Sequence, residues 1–65
     1  MKSFKPKGII KILEAKGFIF VRQKGSHRLY RKESLRVTVP YHSKDLKPGT
    51  LRNILKQASI PKEEI

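Results

Sequence analysis

The chain contains no cysteine and no tryptophan, and it sets only five acidic side chains against sixteen lysines and arginines. Each shortage excludes something. Without cysteine there is no disulfide and no thiolate metal site, an economy that suits a reducing cytosol. Two histidines and an isolated Asp45 give no ligand set for zinc, so no metal or other cofactor is expected. Glu14, Glu33 and Asp45 stand in separate segments, which leaves paired-carboxylate chemistry without a site. No apolar run approaches the roughly 20 residues needed to cross a bilayer. The basic segment 1–7 is not followed by the apolar stretch of a signal peptide, because Lys11 interrupts Ile9-Ile10 at once. The expectation is a cytoplasmic protein with no membrane association.

What is present in excess is positive charge, a formal +11 over 65 residues. A chain of this length makes one domain, residues 1–65, with a thin core, burying only about 60% of the surface its unfolded form exposes. Such charge serves solubility at the least, and beyond that it suits a polyanion. An anionic membrane would require a helix with its apolar face free, and the helices here need those faces for the core. Nucleic acid is the better fit.

Ile9, Ile10 and Leu13, with Ile12, recur at spacings of three and four, which predicts a helix over about 7–16. Pro6 suits its first turn, and Gly17 after Lys16 marks its end. Phe18 to Arg22 switches to aromatic and β-branched residues, the composition of a strand, with Phe18 and Phe20 on one face and Ile19 and Val21 on the other. A turn over 23–26 leads to a second strand, His27 to Arg31, and a turn over 32–34 leads to a third. There Leu35, Val37 and Val39 alternate with Arg36 and Thr38, the cleanest period of two in the chain. Pro40 closes that strand. After a polar connection, Leu51, Ile54, Leu55 and Ala58 form one face of a second helix, which starts either from Thr50 as N-cap or at Pro48. Residues 60–64 make a short tail with room for one more turn. The predicted order is α-β-β-β-α, an α+β domain whose three-stranded antiparallel sheet has both helices on one face.

Gly25-Ser26-His27 places a histidine at the head of a strand inside this basic domain, and histidine both takes and gives protons near neutral pH. RNA carries its own nucleophile, the 2′-hydroxyl beside each phosphate. A protein that cleaves it must move a proton, hold the phosphate and stabilise the added charge. His27 can do the first; Arg22, Lys24 and Arg28 lie close in sequence for the others. Gly25 lets backbone approach a phosphate, and Ser26 either orients His27 or makes the turn. A merely exposed histidine beside a hairpin is the plainer alternative. His42 is a second proton-transfer group, a phosphate contact, or an ordinary loop histidine. Lys44, Lys47, Arg52 and Lys56 form either a phosphate-facing patch or a solvated surface. Phe18 and Phe20 are core if they face the helices and a base-stacking platform if they do not. A serine triad and a glycine-rich phosphate loop both lack their spacing.

Four blocks then stand in order: Gly17-Phe18; Val21-Arg22-Gln23-Lys24-Gly25-Ser26-His27; Val37-Thr38-Val39-Pro40-Tyr41-His42; and Lys47-Pro48-Gly49-Thr50-Leu51-Arg52-Asn53-Ile54-Leu55-Lys56-Gln57-Ala58. Together they resemble the HicA family of toxins, from about Ile9 to Ile60. The resemblance implies a double-stranded-RNA-binding-domain-like fold. It also implies the toxin of a type II toxin–antitoxin pair, an endoribonuclease that cleaves mRNA without the ribosome and is neutralised by a HicB antitoxin. The family's catalytic histidine lies in its Gly-Ser-His motif, which puts that role on His27. A non-catalytic RNA-binding module of the same fold is the alternative. Two positions depart from the family pattern. Ser59 stands where glycine often follows the second helix, and the turn over 32–34 lacks its usual glycine.

Overall fold

The computed structural model describes residues 4–64, so the first three residues of the basic N-terminal segment lie outside it. Helix α1 covers Pro6–Ala15, strands β1, β2 and β3 cover Ile19–Lys24, His27–Lys32 and Leu35–Pro40, and helix α2 covers Pro48–Gln57. A 3₁₀ turn, Lys62–Glu64, ends the described chain. The strands form one antiparallel sheet in the order β1-β2-β3. Ile9, Ile10 and Leu13 of α1 and Leu51, Ile54 and Leu55 of α2 join Phe18, Tyr30, Val37 and Val39 in a single core. Both helices therefore lie on the face that carries Tyr30, Val37 and Val39, and the other face is open. The α+β architecture expected from the pattern is the one adopted.

Each helix begins with proline in its first turn and ends in the same way. Gly17, at φ +100°, follows α1, with Phe18 N–H donating to the Leu13 carbonyl at 2.9 Å and Gly17 N–H to Glu14 at 3.0 Å. Ser59, at φ +55°, follows α2, with Ile60 N–H donating to Leu55 at 2.9 Å and Ser59 N–H to Lys56 at 3.2 Å. Both are Schellman ends, which need a left-handed residue just past the helix. Glycine adopts that conformation freely; Ser59 does so against steric resistance. Of the two expected starts for α2, Pro48 is the one used. Thr50 lies inside the helix, because proline's fixed φ and missing donor suit the first position.

The strands run further into their turns than composition suggested. Gln23 and Lys24 belong to β1, and Gly25-Ser26 alone make the turn; Glu33-Ser34 make the next. In both, only the first residue has positive φ, Gly25 at +58° and Glu33 at +54°, the sign pattern of a type II′ turn. Pro40 occupies a rung whose N–H would point away from β2, so its missing donor breaks no ladder bond. The neighbouring outward N–H, that of Thr38, donates to Gln57 Oε1 at 3.1 Å, which ties α2 to the edge of β3.

Candidate active site

Which side chains share a face follows from the register. On β2, Tyr30 faces the core, so His27, Leu29 and Arg31 face the open side. Their partners on β3 are Pro40, Thr38 and Arg36. On β1, strict alternation from buried Phe18 would send Arg22 and Lys24 toward the helices. A bulge between Phe20 and Arg22 prevents this by inserting Val21 as an extra residue. Beyond the bulge Arg22 pairs with Leu29 and Lys24 with His27, and both cations turn onto the histidine's face.

Two adjoining depressions run along that face. One is lined by Arg22, Lys24, His27, Leu29, Arg36 and Thr38, the other by Val21, Arg22, Leu29, Arg31 and Arg36. They share Arg22, Leu29 and Arg36 and so form one shallow groove with half-buried Leu29 as its floor. None of the five acids falls in a strand. Among the described residues the ion pair present, Lys16 with Glu64, involves no strand residue. The groove is a field of guanidinium and ammonium groups around one exposed imidazole.

The sequence-derived candidates divide in this frame. Arg22 and Lys24 stand with His27, and Gly25 and Ser26 form the turn just before it, with the Ser26 carbonyl accepting the Tyr41 N–H. Arg28 does not join them. It points to the helix side, its guanidinium 3.8 Å from the Tyr41 ring centre and 5.6 Å from that of Phe20, with Nε donating to Gln23 Oε1 at 3.0 Å. Gln23 in turn donates to the Gly25 carbonyl at 2.9 Å, so Arg28 braces the hairpin that carries His27.

His42 lies in the connection after β3, where its Nδ1 accepts the Lys44 N–H at 3.2 Å. It lines one depression with Lys44, Asp45 and Lys47 and another with Lys5, Lys7 and Tyr41, and neither includes His27. Arg52 and Lys56 are exposed on α2, in the layer on the far side of the sheet from the groove. Phe18 is core. Phe20, half exposed, packs edge-on against Tyr30 at 5.8 Å on the helix side, so neither phenylalanine offers a stacking platform on the open face.

The groove's remaining members, Arg31, Arg36 and Thr38, were not singled out from sequence. A signal existed. Arg36 and Thr38 are the polar half of the alternation over 35–39, and a two-residue turn at Glu33-Ser34 pairs them with Arg31 and Leu29.

Fold and face together define a small, strongly basic α+β domain with one sheet side left open and cationic. A family model described as the HicA toxin of bacterial toxin–antitoxin systems matches residues 6–60. The chain belongs to that family, and membership makes it the toxin of a pair whose other member is an antitoxin. No curated protein matches the chain closely. Among the described residues no helix is long and apolar enough to cross a membrane.

Proposed function

We propose that the protein is an endoribonuclease that cleaves mRNA independently of the ribosome, with His27 as its proton-transfer residue. One observation carries this reading. His27 lies in an open groove with Arg22, Lys24 and Arg36, on a sheet none of whose strands contains an acid.

The chemistry asks for little machinery. The RNA's 2′-oxygen attacks the adjacent phosphorus and the bond to the 5′-oxygen breaks. The products are a 2′,3′-cyclic phosphate and a 5′-hydroxyl, and the proton lost by the first oxygen is balanced by one gained by the second. His27 takes or delivers a proton in that exchange. Lys24, directly across the hairpin from it, and Arg22 hold the phosphate and offset charge that develops on its oxygens. Gly25 and Ser26 place exposed backbone beside the same phosphate. The cognate antitoxin is a HicB protein that covers this face, an acidic surface complementing the groove. The toxin acts in the cytoplasm, where mRNA is found.

An RNA whose 2′-hydroxyls are methylated tests the chemistry. It should bind as the unmodified RNA does and remain uncut. Cleavage of the methylated strand would exclude the internal nucleophile.

A further inference from the structure

The groove continues past His27, and its far end has a composition of its own. Arg31 and Arg36 are direct partners across β2 and β3, on a rung where the two strands exchange no hydrogen bonds and Cβ atoms lie about 4.5–5.5 Å apart. Like charges in that position oppose pairing. Nothing on the strands offsets them, since no strand contains an acid. Arg31 is also held in place, its Nε donating to the Glu33 carbonyl at 3.1 Å. Among the described residues its terminal amino groups make no hydrogen bond. Beside this pair stand Ile19, 65% exposed and paired with Arg31, and Val21, 45% exposed at the bulge. Two opposed guanidiniums, one of them oriented, beside bare aliphatic surface is a costly arrangement for an unliganded face.

We propose that Arg31 and Arg36 form a phosphate subsite for single-stranded RNA, with Ile19 and Val21 receiving an unpaired base beside it. The inference extends the ribonuclease reading of His27, which supplies its purpose. From His27 to Arg31 is four residues of strand, about 13 Å, so the subsite grips the chain beyond the nucleotides at the scissile bond. Arg36 lines both depressions and joins the two ends. A duplex would present sugar and phosphate to Ile19 and Val21 and gain nothing from them; an unstacked base has an apolar face to lay there. The cleavage chemistry makes the same demand. In-line attack requires the 2′-oxygen opposite the leaving oxygen, a geometry that regular A-form stacking does not provide.

Binding in a His27→Ala background tests this apart from catalysis. The probes are a labelled, unstructured single strand and a duplex of equal length, each titrated over a salt series against the Arg31→Gln/Arg36→Gln variant and against Arg31→Lys/Arg36→Lys. The single strand should bind more tightly than the duplex. The glutamine variant should flatten the slope of log affinity against log salt by about 1.4, two phosphate contacts at roughly 0.7 each, and the lysine variant should restore most of it. The glutamine variant's melting temperature should equal or exceed that of its background, because a like-charge contact has been removed. An unchanged slope, a duplex bound equally well with the same loss, or polyglutamate displacing RNA as effectively as RNA itself would overturn the proposal, the last in favour of an acidic protein on this face. If the unsubstituted protein cuts no RNA yet the slope falls as described, the subsite stands and the ribonuclease reading fails. If it cuts RNA and the slope is unmoved, the reverse holds.

Discussion

Lys24 and His27 face one another across the closing rung of the first hairpin, with both side chains on the open side of the sheet. The relationship depends on the bulge at Val21 and on a turn of only two residues, so a short stretch of chain brings an imidazole and an ammonium group together. Lys24→Ala should lower kcat/KM for RNA cleavage by roughly 10- to 100-fold, the equivalent of the ~1.5–3 kcal/mol carried by a hydrogen bond to a charged group. Lys24→Arg should retain most of the activity. Steady-state kinetics on the three proteins check this, and an unimpaired alanine variant would remove Lys24 from the site.

Arg22 and Arg28 are both arginines of the same hairpin, and the structure puts them on opposite faces of the sheet. Arg22→Ala should reduce the salt slope of single-stranded RNA binding by about 0.7, one phosphate contact. Arg28→Ala should leave that slope nearly intact. It should destabilise the fold by roughly 0.5–2 kcal/mol through loss of its stacking on Tyr41 and Phe20. Salt-dependent binding and urea unfolding on both variants separate the two roles. Equal slope losses would return Arg28 to the RNA interface.

The contrast between these arginines also marks what the sequence could and could not convey. The helices and β3 were legible because their apolar residues keep a constant period, and β3's alternation correctly separated Val37 and Val39 from Arg36 and Thr38. The face of Arg22 was not legible. Its side is decided by one extra residue in β1, and a bulge leaves no mark on a run as uniformly β-prone as Phe18 to Val21. The face of Arg28 was not legible for a related reason. Proximity in sequence to His27 guarantees proximity of backbone, whereas consecutive strand residues point to opposite faces. His27 was singled out by its motif, and the pairing of the strands shows that Arg31 and Arg36 stand on its side.

The two departures from the family pattern have a common physical form. Glu33 and Ser59 each hold a positive φ that glycine would adopt without penalty. Glu33→Gly and Ser59→Gly should each stabilise the protein, by about 1 kcal/mol, where a left-handed side-chain residue costs roughly 1–2 and glycine's greater unfolded entropy takes part of that back. In a domain this small such a gain should raise the melting temperature by roughly 4–8 °C. A fall in either variant would mean that the serine or glutamate side chain is needed where it stands.

Leu13 and Ile54 bring the two helices to the same sheet face, 0% and 1% exposed. Truncating either to alanine should cost about 2–5 kcal/mol, a large part of what a domain of this size has. Both variants should be mostly unfolded near body temperature by circular dichroism. A native melting curve would show that the core is not shared as described.

The most direct measurement is incubation of the purified, antitoxin-free protein and its His27→Ala variant with labelled mRNA in the presence of a metal chelator, with fragments resolved by length and end group. The unsubstituted protein should produce fragments ending in 2′,3′-cyclic phosphate. Loss of acid–base assistance should slow the variant by about 10²–10⁴ while it still binds the RNA. Equal cleavage by both proteins, or intact RNA after incubation with the folded unsubstituted protein, would contradict the account.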